Sequence, residues 1–311
     1  MSPARVAAIG ECMVELRHLD ATTLALGFGG DTLNTAVYLR RCGSAAGISV
    51  DYVTALGDDP YSDTMLAAWQ AEGLGTGLVA RLGGRQAGLY LIRVDAAGER
   101  SFTYYRSQSA ARELFRAQPV ARLDDRLVDF DWLYTTGITL SMLDPESRRR
   151  LWQVLDRARA RGGRVAFDSN HRPAGWPDCE AARAAVSQTL VRVDLALPAL
   201  DDHRRLFGDA DAEACAGRLH DLGVPEVVVK LGPYGCLLSN PDGQQRIPAA
   251  AVRRVVDTTA AGDAFNGAYL AARLAGAAPP DAARTGSELA AAVIAHPGAL
   301  IPAGAMPRRA R

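Results

Sequence analysis

The chain predicts an α/β fold: a mostly parallel central sheet covered by helices, with one small β unit set apart from it. Three observations carry this expectation. Short β-rich runs alternate with longer helical ones along most of the 311 residues, as in chains built from strand–helix–strand units. Several of those runs end in polar residues, where ligands bind in such folds. One stretch, 88–106, breaks the alternation with two strands around a short turn.

In order, Arg5-Val6-Ala7-Ala8-Ile9-Gly10 reads as a first buried strand, and Val50 to Leu56 as another that ends at Gly57-Asp58-Asp59-Pro60. Later strands are expected at Trp132–Thr136, Val165–Asp168, Leu195–Leu197 and Glu226–Leu231. Helices fall between them, as at Pro145–Arg161, Cys179–Val191 and Ala212–Leu222. Gly88 to Val94 and Arg100 to Arg106 flank Asp95-Ala96-Ala97-Gly98-Glu99, which reads as a β-hairpin. That hairpin is expected to form a small β-lid that excludes water from a site; an edge extension of the main sheet is the other reading. No repeat, low-complexity linker or boundary divides the chain, so one domain over residues 1–311 is expected.

Composition narrows the function. Hydrophobic residues make up 48% of the chain, enough for a large core. A formal net charge of zero argues against a broad nucleic-acid surface. Cys12, Cys42, Cys179, Cys215 and Cys236 are scattered without a Cys-x-x-Cys pair, so neither a zinc site nor a disulfide framework is expected. His18, His171, His203, His220 and His296 show no ligand spacing and are expected in packing or surface roles. No signal peptide or apolar span is evident, which predicts a soluble cytoplasmic protein, and Arg308-Arg309-Ala310-Arg311 reads as a solvated tail.

The string Asp257-Thr258-Thr259-Ala260-Ala261-Gly262-Asp263 leads into the amphipathic run Ala264-Phe265-Asn266-Gly267-Ala268-Tyr269-Leu270. Small side chains at 260–262 let a phosphate approach the backbone, and a helix start favours an anion. Asp263 would then stand beside a phosphate, where one role fits: accepting the proton of a hydroxyl that attacks a phosphoryl group. Its unperturbed pKa of about 3.9 predicts an ionised group at neutral pH. A plain helix cap by Asp257 or Thr258 is the bland reading, but it leaves the second aspartate unexplained.

Gly27-Phe28-Gly29-Gly30-Asp31-Thr32-Leu33-Asn34 precedes a helical run. Asp31 and Asn34 lie one helical turn apart and suit sugar hydroxyls; Asp31 or Thr32 as an ordinary cap serves as well. Lys230-Leu231-Gly232-Pro233-Tyr234-Gly235-Cys236 follows a valine-rich strand. It reads either as a nucleotide-binding loop or as a routine turn with a solvated Lys230.

Gly29-Gly30-Asp31-x-x-Asn34 and Asp257-Thr258-x-Ala260-Ala261-Gly262-Asp263 resemble the two signatures of the PfkB (ribokinase-like) carbohydrate kinases, and the resemblance runs from Val6 to about Pro302. Ile9 to Leu16, Gly27 to Thr35, Tyr52 to Gly57 and Gly98-Glu99-Arg100-x-Phe102-x-Tyr104-Tyr105 are most similar to the branch acting on 2-keto-3-deoxygluconate. The resemblance implies a ribokinase-like three-layer α/β/α sandwich, with a discontinuous β-lid at about 12–28 and 86–107 that makes homo-oligomer contacts. It implies transfer of the ATP γ-phosphate, with Mg2+ and a monovalent cation as a further option, to the terminal hydroxyl of a sugar acid in Entner–Doudoroff-linked catabolism. No membrane or nucleic-acid partner is implied. Asp263 takes the place of the catalytic base, and Ala260, Ala261 and Gly262 that of the anion hole. Gly30, Asp31 and Asn34 match the sugar-binding motif, and Tyr90, Tyr104 and Arg106 the substrate contacts from the lid. Asn170 and Arg172 match a strand-end site near phosphate and substrate, and Lys230, Gly232 and Gly235 the nucleotide loop.

The chemistry suits a sugar acid, because an arginine fork pairs with a carboxylate through two parallel hydrogen bonds. Arg106 is the residue for that pairing, and a solvated hairpin arginine is its bland reading. Arg172 serves the carboxylate or the phosphate. Two departures stand out. The family's loop reads Gly-Ala-Gly-Asp, and Ala260 fills the first position; a positive φ there would cost about 1 kcal/mol. The family's Asn-x-x-Glu, tied to magnesium, is replaced by Ala199-Leu200-Asp201-Asp202, and no metal ligand is assigned. The competing expectations are a family kinase for fructose, tagatose or ribose, and a sugar sensor without catalysis.

Overall fold

The computed structural model describes residues 3–94, 100–116 and 123–307. In chain order, β1 (Arg5–Ile9) is followed by β2 (Met13–His18), β3 (Leu24–Gly29), α1 (Asp31–Gly43), β4 (Ser49–Leu56), α2 (Pro60–Ala71) and β5 (Val79–Arg81). Next come β6 (Leu89–Val94), β7 (Arg100–Tyr105), α3 (Leu123–Leu127), β8 (Trp132–Thr136), α4 (Gly137–Met142), α5 (Pro145–Ala160) and β9 (Arg164–Asp168). The remainder comprises α6 (Cys179–Leu190), β10 (Leu195–Ala196), α7 (Leu200–Phe207), α8 (Ala212–Asp221), β11 (Glu226–Lys230), β12 (Cys236–Asn240), β13 (Gly243–Ile247), α9 (Ala261–Leu274) and α10 (Pro279–Ile294).

Nine strands form the main sheet in the order β13-β12-β11-β10-β9-β8-β1-β4-β5. Every pairing from β11 to β5 is parallel, and β12 and β13 extend the edge antiparallel. Strand side chains alternate between two cores, as the two-residue period requires. Ala7, Ile9, Leu133, Val165, Phe167, Val227 and Val229 face the helices α4, α5, α6 and α8. Val6, Ala8, Tyr134, Ala166 and Val228 face α1, α2, α9 and α10. The result is the expected three-layer α/β/α sandwich. On the second side α1 and α9 pack closely: a Cβ on Gly267 would lie 2.7 Å from the Thr35 carbonyl oxygen.

The hairpin residues form a separate sheet of order β3-β2-β6-β7. Strands β6 and β7 pair antiparallel and β2 runs parallel to β6. None of these four joins the main sheet, so the edge-extension reading is wrong. The turn expected at 95–99 and the tail at 308–311 lie outside the described residues. Among the described residues no helix is long and apolar enough to cross a membrane.

Candidate active site

The carboxyl ends of β1, β8, β9 and β11 meet the N-termini of α1 and α9. Parallel strands deliver their last side chains to this edge, and the polar residues collect there.

Helix α9 follows Ala260, its N-cap, which sits in the left-handed region (φ 59°) and makes no side-chain capping bond. Asp257 does not cap it. Its carboxylate accepts from the backbone N–H groups of Thr259 (2.8 Å) and Gly298 (2.7 Å) and braces the preceding turn. The start of the helix is therefore left to backbone donors, and residues 260–262 are only half-buried.

Asp263 lies in the first turn. Asn34 Nδ2 donates to its Oδ2 (2.9 Å), and Thr35 Oγ1 donates to its backbone carbonyl (3.2 Å). Burial pushes the carboxyl up to about 8, and the Asp31 and Asp168 carboxylates add to the rise; the Asn34 bond and the Lys230 ammonium pull the other way. The solvated reference value therefore does not describe Asp263 in the folded protein. Sequence reasoning used the solvated reference value and did not foresee neighbouring carboxylates contributed from residues 95 and 232 positions away.

Asp31 opens α1 but caps nothing, and neither does Thr32: the cap is Gly30, with no side-chain bond. The Asp31 carboxylate instead accepts from Thr136 Oγ1 (2.6 Å) and Asn170 Nδ2 (2.8 Å), and burial raises its pKa. Asn170 reaches it from a strained backbone (φ 29°), with its N–H bonded to Asp168 Oδ1 (3.0 Å).

Lys230 is not solvated. Its Nζ donates to Asp168 Oδ2 (2.6 Å) and Asn266 Oδ1 (3.1 Å), and it would lie 3.4 Å from a Cβ on Gly262. Asn266 Nδ2 donates in turn to Asp168 (2.7 Å) and Tyr134 Oη (3.2 Å). The ammonium thus sits under the start of α9. Gly232 and Gly235 stand in the turn between β11 and β12, both at positive φ (57° and 89°). A side chain on Gly235 would collide with the Ile247 carbonyl oxygen, so the backbone alone requires that glycine.

The small sheet covers the other side. The Tyr90 hydroxyl donates to Glu15, and Tyr90 contacts Tyr104 with ring centroids 5.9 Å apart. A Cβ on Gly29 would collide with the Tyr90 hydroxyl. Arg106 pairs with the buried carboxylate of Glu11, which overturns its reading as a solvated hairpin residue. Arg172 is largely exposed, 3.8 Å from Asp202. Asp202 accepts from His171 N (3.2 Å), and burial followed by Asp168 raises its pKa.

Of the residues expected from sequence, Asp31, Asn34, Asn170, Lys230, Gly262 and Asp263 form one connected group. Tyr90, Tyr104 and Arg106 belong to the small sheet. Sequence reasoning gave no role to Glu11, Thr136 or Asn266. Asn266 was findable, three residues after Asp263 on one helix face; Thr136 carried no signal. His203, expected in ordinary packing, lies fully buried between Ser169 Oγ (2.8 Å) and Asp209 Oδ2 (3.3 Å), with Arg218 Nε on Asp209 (2.7 Å). Cys215 completes a metal-sized group with His203 and Asp209, but Arg218 already neutralises the aspartate and burial pushes the thiol up.

The pfkB family carbohydrate kinase profile matches residues 3–305. The 2-dehydro-3-deoxygluconokinase of Dickeya dadantii is 44% identical over 311 residues, covering 99% of this chain and all of that protein. The enzyme of the same name from Escherichia coli K12 is 44% identical over 97% of this chain and 99% of its own length. Among solved structures, a PfkB protein from Polaromonas sp. JS666 superposes with a TM-score of 0.83 at 27% identity, covering 93% of this chain and 95% of that one. A 2-dehydro-3-deoxygluconokinase from Thermotoga maritima shares the fold, with a TM-score of 0.85 at 21% identity over 96% and 95% of the two chains.

Proposed function

We infer the reaction from one premise: this chain belongs to the pfkB family of carbohydrate kinases. It is an ATP-dependent kinase that phosphorylates 2-dehydro-3-deoxy-D-gluconate at its terminal 6-hydroxyl, giving the 6-phosphate and ADP. The observation that carries this reading is 44% identity, over nearly the full length, to enzymes of that activity.

The geometry supports the following roles. The sugar's 6-hydroxyl donates to Asp263, whose other neighbours hold it still. As the new O–P bond forms and the bond from phosphorus to ADP breaks, the hydroxyl proton passes to Asp263. Its raised pKa makes Asp263 a stronger base than a solvated aspartate once its own proton has left. The backbone at Ala260, Ala261 and Gly262 and the Lys230 ammonium below it meet the charge of the moving phosphoryl group. Asp168 and Asn266 hold Lys230 in place.

Gly30, Asp31 and Asn34 bind sugar hydroxyls. Asn170 acts by fixing Asp31. Tyr90, Tyr104 and Arg106 close the pocket from the small sheet, which serves as a lid, and Arg106 or Arg172 takes the carboxylate. Gly232 and Gly235 let the turn after Lys230 approach the nucleotide. Asp31, Asp202 and Asp263 stand near the phosphate path, and burial first, then neighbouring carboxylates, push all three up. That environment fits a hard divalent cation, with Asp202 the carboxylate placed to hold Mg2+ through water. When bound, Mg2+ supplies charge neutralisation on the phosphate oxygens.

The outward side of the small sheet leaves Leu24, Leu26 and Tyr105 exposed. An apolar surface of this kind supports pairing with a second copy, and light scattering should return a dimer or larger; a monomer rejects it. The reaction is tested by a coupled ADP-release assay with Mg-ATP and a panel of sugar acids and neutral sugars. The keto-deoxy sugar acid should have the highest kcat/KM. A neutral sugar such as fructose or ribose turning over better would overturn the substrate assignment.

A further inference from the structure

Four chain segments cross between the two sheets, and they meet around one ion pair. Residues 10–12 link β1 to β2, Gly30 links β3 to α1, Gly88 precedes β6 and Arg106 follows β7. At their meeting point the Glu11 carboxylate pairs with Arg106 Nη2; the side chains are 1% and 21% exposed. The neighbouring segments approach this pair closely. A Cβ on Gly30 would collide with the Glu11 carbonyl oxygen. On Gly88 it would sit 2.9 Å from Glu11 Oε1 and 3.2 Å from the Arg106 Cβ. A carboxylate enclosed this far needs a cation, and breaking such a pair leaves an uncompensated charge.

We propose that Glu11 is a positioning residue for sugar-acid recognition: it holds the Arg106 guanidinium at the seam between the sheets, oriented for the substrate's carboxylate. This rests on the reaction proposed above. An unanchored arginine samples many rotamers and must be ordered each time substrate binds. Glu11 orders it beforehand, from the main-sheet side, while Arg106 itself belongs to the small sheet. The same contact therefore fixes both the guanidinium and the seam on which the small sheet sits. The effect should appear in binding of the acid, because among the described residues Asp263 bonds to Asn34 and the pair bonds to neither Asp263 nor the start of α9.

The test uses the full-length enzyme with the keto-deoxy sugar acid and Mg-ATP. Glu11→Gln keeps the shape and removes the charge. It should raise the sugar-acid KM about tenfold, within the usual range for coupled charged neighbours, and leave the ATP KM unchanged. Glu11→Asp, which keeps the charge but is one methylene shorter, should fall between Gln and wild type. In an Arg106→Gln background, Glu11→Gln should add nothing further. A merely structural role would move both KM values or add fully to Arg106→Gln, and either result overturns the proposal. If wild type turns over the sugar acid and Glu11→Gln leaves its KM unchanged, this inference fails alone. If wild type shows no sugar-acid turnover, the reaction and the inference fail together.

Discussion

Helices α1 and α9 begin at the same centre, and neither is capped by a side chain. Each carries an aspartate in its first turn. There the likeness ends. Helix α1 starts from an extended Gly30, and its next residues are buried, with Thr32 bonded to the Tyr52 hydroxyl (3.1 Å) and Asn34 to Asp263. Helix α9 starts from a left-handed Ala260 and leaves residues 260–262 half-buried, with an ammonium beneath them. One start is lined by buried side chains bonded to their neighbours, and the other leaves half-buried backbone above an ammonium. The two aspartates are then coupled across the gap: Asp31 helps to push Asp263 up, so a carboxylate on one helix raises the pKa of a carboxylate on the other. A helix start is a general device, and what surrounds its first turn decides which ligand it takes.

The largest expected effect tests the α9 side. Asp263→Asn should cut kcat by ~10²–10⁴-fold, the range for loss of a general base, with little change in sugar affinity measured by calorimetry. Wild-type turnover in that variant would remove Asp263 from its assigned role. The same variant should lose less stability than wild type in alkaline buffer. Asp263 has a native pKa of about 8 against an ordinary 3.8. Between those values the folded protein holds a proton that the unfolded chain has lost, so stability falls as pH rises from about 4 to about 8 and levels off above. Asparagine does not titrate, so its melting temperature should fall less than that of wild type between pH 5 and pH 8; equal falls contradict the raised pKa.

Breaking the coupling between the helices comes next. In wild type, kcat/KM should rise with pH through about 8 as the free enzyme's Asp263 loses its proton. Asp31→Asn removes a neighbouring negative charge, so the midpoint should move to lower pH while the sugar KM rises about tenfold. An unmoved midpoint would mean that the two aspartates do not communicate.

The smallest effect sharpens the contrast in backbone. Ala260→Gly relieves about 1 kcal/mol of left-handed strain but frees the unfolded chain by a similar amount. Its melting temperature should stay within about 3 °C of wild type. A large loss would mean that the Ala260 methyl has packing value beyond its backbone angle.

Much of the site could be read from sequence because helix starts and strand ends are written locally. The small-residue run before Asp263, the glycine pair before Asp31 and the valine strand before Lys230 each point to a member of the connected group. Partners were harder to find. Thr136 on Asp31, Asn266 on Lys230 and Glu11 on Arg106 lie far apart along the chain or carry no distinctive spacing. The strands β2 and β3 were expected only as part of a lid, since the glycines at 27 and 29 mask their alternation. The raised pKa of Asp263 was missed for the same reason: a pKa depends on neighbours, and those neighbours come from elsewhere in the chain.

The sequence by itself determined the layered α/β architecture, the two helix starts and the identity of the proposed base, because periodicity, glycine and capping chemistry act over a few residues. Tertiary structure alone decided that Asp31 bonds Thr136 and Asn170 instead of capping, that Lys230 turns inward to Asp168, and that Glu11 meets Arg106 where the two sheets join. Those outcomes depend on burial and on charges brought close by folding, and Coulomb and desolvation energies are set by distance in space.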